Sequence, residues 1–414
     1  MKKGWQTKTI GDVCEFQRGL TYAKSDEVDV SDNVVLRATN IDLATNLLIF
    51  DELKYISDKV VVPGSKKVKQ GSLMICMASG SKSHLGKVAF IDDDYGYAFG
   101  GFMGMLTPLN GLLPKYLFHL MTSEDYKDFI GALSDGANIN NLTFDKLKVF
   151  PVPVPPLAEQ QRIVGLLDEA FEGLATAKAN AEKNLQNARA LFESHLQSVF
   201  TQPALSGVEG RGPGWVEKSI GELCERLHQG LNTAGEKVKF YESGYPIIQT
   251  RNIDDGVVEL DSKMKFMSEE DWQLYKDKYR PEIGDVFFTN IGTIGKTAIV
   301  TTDRDYLIHW NIFKLRPLLG KITSEFLRYT LEQLTLSGYF EKLQKGGTVD
   351  FVTKKMISEA LILLPAIAEQ KTIVAKLDDL REETQRLARL YERKHAALEA
   401  LKKSLLHQAF TGAL

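Results

Sequence analysis

Along residues 163–199 apolar side chains recur at spacings of three and four: Ile163, Leu167, Ala170, Leu174, Ala177, Ala181, Leu185, Ala188, Phe192, Leu196 and Val199. That period belongs to one face of a helix. A second run, Ile373, Leu377, Leu380, Leu387, Tyr391, Leu398, Leu401 and Leu405, repeats it with weaker turns at Thr384 and Lys394. Pro156 and Pro365 precede the two runs, and Pro203 and Gly412 follow them. Each run predicts a helix of about 45 residues, roughly 65–70 Å long. One narrow seam on so long a helix cannot be a globular core, so each needs a partner helix, and the other copy is the obvious one. Elsewhere the pattern is short-ranged. Strands are expected at 34–38, 73–77, 88–91, 247–250, 286–289 and 297–300, and amphipathic helices at 115–129 and 324–343. The stretch 203–214, rich in Gly and Pro, cannot continue a helix and is expected to be a flexible linker. The predicted layout is a globule (1–155), a long helix (156–202), the linker, a second globule (215–364) and a second long helix (365–414).

The chain also repeats itself. Gly4-Trp5 returns as Gly214-Trp215, and Ile10-Gly11-Asp12-Val13-Cys14-Glu15 as Ile220-Gly221-Glu222-Leu223-Cys224-Glu225. Pro155-Pro156-Leu157-Ala158-Glu159-Gln160 returns as Pro365-Ala366-Ile367-Ala368-Glu369-Gln370, and Phe200-Thr201 as Phe410-Thr411. All of these share one offset, 210. Inside the globules the register wanders: Asn40 matches Asn252 at 212, and Lys87 matches Lys296 at 209. The helices keep their length while the globules change residues and tolerate insertions. The expected fold class is α+β, two mixed α/β globules separated by two long helices, with an internal pseudo-two-fold repeat.

Composition narrows the function classes. The 414 residues carry 51 Lys+Arg against 54 Asp+Glu, a net charge of −3, so bulk charge does not announce a nucleic-acid binder. With 43% hydrophobic and 25% charged residues, disordered, collagen-like and disulfide-stapled chains are excluded. Cys14, Cys76 and Cys224 form no CxxC, and no signal-peptide or membrane-span pattern is present; a cytoplasmic protein away from membranes is expected.

Catalytic motifs do not form. Gly292-Thr293-Ile294-Gly295-Lys296-Thr297 has the tail of a phosphate loop, but Asn290 stands where the first Gly belongs and a strand follows instead of a helix. Gly100-Gly101-Phe102-Met103-Gly104 lacks dinucleotide spacing and is better read as a tight turn between strands. The seven histidines make no zinc pattern, and no Asp/Asn-Pro-Pro-Tyr/Phe sequence marks an adenine methylase. Binding chemistry is better represented. Ser79, Ser81, Lys82 and Ser83 lie on a Gly-containing loop after a strand, with donors suited to phosphate oxygens and base edges. Asn138, Asn140 and Asn141 offer amides that can bond adenine bidentately, although Asn also favours turns. Lys345 and Thr348 supply similar chemistry in the second copy. Arg37, Thr39 and Asn40 pair by repeat with Arg251 and Asn252, where a structural role for the asparagines weighs equally. Lys87, Thr289, Asn290, Thr293 and Lys296 complete the candidate DNA-binding set. The cluster Lys66, Lys67 and Lys69 has a solvated loop as its usual explanation.

Two variable globules, two length-locked helices and Pro-x-x-Ala-Glu-Gln at both helix starts resemble the specificity subunit (HsdS) of type I restriction–modification systems. Pro281-Glu282-Ile283-Gly284-Asp285-Val286 is similar to that family's proline-glycine-aspartate turn, although the Gly does not directly follow the Pro. Its first-copy equivalent, near Pro63-Gly64 and Gly71, cannot be aligned from sequence. The run from Met77 to Ser83, with residues 136–140 and 154–160, resembles the type IA branch. The resemblance implies that each globule is a target-recognition domain reading one half of a bipartite double-stranded DNA site. It implies an antiparallel coiled coil that fixes the spacer and docks two methyltransferase subunits, joined by restriction/motor subunits. It places S-adenosylmethionine, ATP and Mg²⁺ in those partners, with no cofactor, metal site or catalytic residue in this chain. A fused nuclease or methyltransferase and a protein-binding coiled-coil adaptor are the rival classes.

Overall fold

The computed structural model of the chain describes residues 4–80, 82–134, 141–201, 215–261, 264–343 and 351–414. They form two compact units, Met1–Glu182 with Glu392–Leu414 (unit 1) and Lys183–Tyr391 (unit 2). The two long helices are Leu157–Thr201 and Ile367–Thr411, of 45 residues each, and the unit boundary falls inside both. Each unit therefore holds one globule, the first part of one long helix and the last part of the other.

Within unit 1 the two helix segments run antiparallel. Ile163 and Leu167 share a core with Leu406, Ala409 and Phe410, while farther along Lys178 reaches Glu399 at 2.8 Å and His395 faces Glu182 at 3.4 Å. Within unit 2, Phe192 and Leu196 pack with Val374 and Leu377, and the Arg381 guanidinium lies over the Phe192 ring. Every seam position expected on the first helix is buried or half-buried. On the second helix Leu401 departs from the expected seam and is exposed; the stem of Lys402 fills its place, with its ammonium over Phe171. Thr384 is buried, its hydroxyl donating to the carbonyls of Leu380 and Arg381.

Each globule is built on a four-stranded antiparallel sheet. In unit 1 its order is Cys14–Arg18, Met103–Pro108, Leu73–Cys76, Val88–Phe90; in unit 2 it is Cys224–Gln229, Ile312–Pro317, Val286–Thr289, Thr297–Ile299. A smaller mixed sheet lies beside it in chain order, containing the parallel pairs Asn33–Leu36 with Ala98–Phe99 in unit 1 and Tyr245–Ile248 with Leu307–Ile308 in unit 2. All six expected strands are present within a few residues of their bounds. Strands not expected include Met103–Pro108, Ile312–Pro317 and the members of two pairs, Gln6–Thr9 with Pro151–Val154 and Val216–Ser219 with Leu361–Leu364. The N-terminal members of these pairs are solvent-exposed on both faces and show no alternation. Both expected amphipathic helices are broken. Residues 115–129 give Pro114–Leu120 and Glu124–Ser134, because the hydroxyls of Thr122 and Ser123 bond the carbonyls of His119 and Leu120 and compete with the helical ladder. Residues 324–343 give Ser324–Leu336 and Tyr339–Lys342, separated by Gly338 at φ 67°.

The repeated Ala-Glu-Gln has a structural reason. Gln160 is fully buried; its Oε1 accepts from Leu113 N, and its Nε2 donates to the carbonyls of Gly111 and Pro155. Gln370 makes the same three bonds with Thr323 N, Lys321 O and Pro365 O. In both copies one amide bonds the N-cap residue of the globule's own helix and ties that helix to the start of the long helix.

Candidate nucleic-acid interface

In each unit one inner strand of the large sheet ends beside a segment far along the chain. In unit 1, Leu142 N donates to Met77 O at 2.6 Å, and Ala78 forms a bridge with Asn141. In unit 2, Val352 N donates to Asn290 O at 2.9 Å, and Ile291 forms a bridge with Phe351. These bridges bring Ala78 beside Asn141 in unit 1 and Ile291 beside Phe351 in unit 2, at one end of each sheet. Ser79 therefore follows the Asn141 bridge, and the turn 291–295 starts at the Phe351 bridge. Segments about sixty residues apart in sequence become neighbours through strand pairing.

A third element joins them. The turn after the small sheet, 100–103 in unit 1, is closed by Met103 N to Gly100 O at 2.8 Å. Phe102 O accepts from both Met77 N (2.9 Å) and Ala78 N (3.1 Å). Unit 2 has the same turn at 309–312, closed by Ile312 N to His309 O, with Asn311 O accepting from Asn290 N. Gly19 and Gly230 lie against these turns. A Cβ on Gly19 would sit 2.0 Å from Gly100 O, and one on Gly230 would sit 2.4 Å from the carbonyls of Ile308 and His309, so only glycine fits.

The candidates from sequence separate into three groups. Thr39, Ser83, Asn141, Arg251 and Thr293 are exposed, and Arg37 and Ser79 are half-buried. The Arg37 Nε is buried without a hydrogen-bond partner among the described residues. A second group is built into the protein. Asn40 Oδ1 accepts from Arg37 N and its Nδ2 donates to the carbonyls of Ile49 and Glu52; Asn252 Oδ1 accepts from Gln249 N. Both amides are 1% exposed, so the structure corrects their assignment from contact to loop organiser. Lys87 donates to Ile41 O, and burial pushes its ammonium down to about 8. Lys296 likewise donates to Ile253 O and pairs with Asp254. These half-buried lysines each tether a hairpin; Thr289 is internal, its buried hydroxyl donating to Thr293 O and accepting from Lys296 N. Asn290 is buried at the strand end, its Oδ1 without a partner among the described residues. The third group, Ser81, Asn138, Asn140, Lys345 and Thr348, lies outside the described residues, as does the side chain of Lys82, whose backbone opens the short turn Lys82–His84.

Sequence reasoning passed over several groups at the same end of unit 1. Arg18 ends the edge strand opposite Gly104, exposed, and Lys66 donates to its carbonyl at 2.8 Å. Phe102 is 75% exposed. Its only signal was an apolar residue among glycines at a turn. The assembled surface offers guanidinium, ammonium, hydroxyl and amide donors together with an aromatic face, the chemistry that meets phosphates and bases. Among the described residues no group of three His, Cys, Asp or Glu is placed to hold a metal ion, and no helix is long and apolar enough to cross a membrane.

The model for the type I restriction modification DNA specificity domain matches residues 2–185 and again residues 213–392. The chain is 26% identical to the StySPI specificity subunit of Salmonella potsdam over 438 residues, covering all of this chain and 90% of that one. It is also 26% identical to the EcoKI specificity subunit of Escherichia coli K12, with the same coverage. Its fold matches a chain from a structure of type I R-M complex assembly and conformational transition at TM-score 0.78 and 21% identity, covering 100% and 99% of the two chains. It matches the HsdS subunit of Thermoanaerobacter tengcongensis at TM-score 0.62 and 21% identity, covering 100% and 98%. With two copies of the domain and specificity subunits matched along its whole length, the chain belongs to the type I restriction–modification DNA specificity family.

Proposed function

We propose that this chain gives a type I restriction–modification complex its DNA sequence specificity, unit 1 reading one half of a two-part asymmetric site and unit 2 the other. The observation that carries the reading is the strand-end junction repeated in both units with different side chains on it. Ala78–Asn141 and Ile291–Phe351 close the same junction, while Ser79, Ser83 and Asn141 in one unit are answered by Thr293 and Phe351 in the other. One scaffold carrying two sets of contact residues is what an asymmetric target requires. The long helices, equal at 45 residues, set the unread spacer and carry the contacts to other subunits, which we take to be two methyltransferase subunits and the restriction/motor subunits. In this reading the chain itself is non-catalytic, and the partners bind S-adenosylmethionine, ATP and Mg²⁺.

The test is genome-wide methylation mapping with the full complex. Exchanging residues 215–364 for the corresponding segment of another specificity subunit should change one half of the methylated sequence and leave the other half and the spacer intact. A change in both halves would overturn the division of labour between units. A chain that gives no sequence-selective gel shift, with or without methyltransferase subunits, would be a protein adaptor instead.

A further inference from the structure

Phe102 exposes 75% of its surface, more than any other aromatic residue among the exposed large side chains of the described residues. A ring left in water forfeits the gain of burial, and this one is held there by the backbone. The ring is not on a loose loop. Its carbonyl is held by two backbone donors, Met77 N and Ala78 N, and its turn is closed by the Met103–Gly100 bond. Most of the entropy of presenting it is therefore already spent by the fold. Its setting is polar and cationic. Gly101 lies against Thr21 Oγ1, Ser79 and the Asn141 bridge follow Ala78, and Arg18 ends the adjoining strand with Lys66 at its carbonyl. Thr21, Ser79 and Arg18 share this end of the sheet with the ring, chemistry suited to phosphates and bases. Unit 2 presents an aromatic on the same turn, one residue earlier: Trp310 is 39% exposed, and its carbonyl is held by Gln229 Nε2 at 2.7 Å.

We propose that Phe102 is an apolar wedge that inserts at a base step of the half-site read by unit 1 and partly unstacks it, with Trp310 the counterpart in unit 2. The inference rests on the DNA-reading function proposed above and adds a mode of recognition to it. A ring inserted at a step selects for steps that unstack easily, pyrimidine–purine steps above all, at positions where no hydrogen bond reads the base.

The experiment uses the full chain, alone and in complex with methyltransferase subunits, and a duplex carrying its mapped site with 2-aminopurine placed in turn at each position of the first half-site. The native protein should raise fluorescence at one step. Phe102→Ala should abolish that rise and weaken binding about tenfold, since base–aromatic stacking is worth roughly 1–3 kcal/mol. Its salt slope and thermal stability should stay unchanged, because the ring is neutral and exposed; Phe102→Trp should retain the rise. Trp310→Ala should act on the second half-site only. A fluorescence rise that survives Phe102→Ala overturns the wedge while leaving DNA reading intact. So does a Phe102→Ala chain that binds DNA normally and fails to assemble with the methyltransferase, because the ring is then a protein contact. Failure of the native chain to discriminate its mapped site would remove the DNA-reading function itself.

Discussion

Ser72 and Thr107 in unit 1 stand where Asp285 and Arg316 stand in unit 2. The first pair shares one hydroxyl bond of 2.9 Å; the second is a bidentate ion pair, Nε to Oδ1 at 2.8 Å and Nη2 to Oδ2 at 3.0 Å, with the carboxylate 1% exposed. The surrounding backbone is the same. Ser72 N bonds Lys69 O as Asp285 N bonds Glu282 O, and Ile91 N bonds Ser72 O as Val300 N bonds Asp285 O. Gly71 and Gly284 precede them at φ 76° and 91°. The same holds at the base of the long helices. His119 Nε2 faces Asp168 at 2.8 Å in unit 1, and Tyr329 donates to Asp378 in unit 2. One backbone accepts different polar solutions at a given position: at Ser72/Asp285 both members of the pair change together, whereas at Asp168/Asp378 the carboxylate is kept and only its partner changes.

The largest effect should come from breaking one member. Arg316→Thr leaves the Asp285 carboxylate buried and should destabilise unit 2 by about 3–5 kcal/mol in chemical denaturation. Adding Asp285→Ser, which transplants the unit 1 pair, should recover most of that loss. In unit 1, Ser72→Ala removes a single neutral bond and should cost about 1 kcal/mol. If the double variant is no better than the single, the two units are not interchangeable at this position.

A second prediction concerns what the units share. Gln160→Ala and Gln370→Ala each leave one amide N–H and two carbonyls unpaired, and each should cost on the order of 3 kcal/mol. Unfolding followed by hydrogen exchange would assign each loss to its own unit. A large loss from one and none from the other would show that the clamp is used only once.

The third separates the units by pH. His119 is buried, and burial, with Lys115 and Lys402 nearby, holds its folded value below 6.5 although Asp168 opposes the shift. Its Nδ1 has no partner among the described residues, so a second ring proton finds no acceptor there. The unfolded chain then takes up this proton first. The stability of unit 1 should be level above about pH 7 and decline as pH falls through 6.5 towards the folded value. His119→Tyr, the unit 2 residue, should flatten that part of the profile in thermal melts from pH 7 to 5. Burial pushes the Tyr329 hydroxyl up, so this position gives unit 2 no titration in that window.

The smallest effect concerns charge on the reading surface. Arg251 is exposed where Thr39 stands in the first copy. Arg251→Ala should weaken DNA binding on all sequences and reduce the salt slope by about one, while Thr39→Ala leaves the slope unchanged. Equal slopes for native and Arg251→Ala would remove Arg251 from the interface.

The long helices, the six core strands and the twofold repeat were legible in the sequence because each rests on local periodicity or a fixed offset. Ile163 through Val199 had to face inward at helical spacing for the helix to form a seam, and the constant offset of 210 reflects a length that cannot slip without breaking that seam. Ser79, Ser83 and Asn141 were visible as loop chemistry. What only the tertiary structure decided was which residues meet. Asn40, Asn252, Lys87 and Lys296 have the side chains of ligand contacts, and only the positions of distant carbonyls at Ile49, Glu52, Ile41 and Ile253 turn them into internal ties. The equivalence of Gly71 with Gly284, and the exposure of Phe102 at the end of the sheet, also depend on pairing between segments far apart in the chain. Periodicity is a property of neighbours along the chain, and a binding surface is a property of neighbours in space, fixed here by cross-strand register that no local pattern encodes.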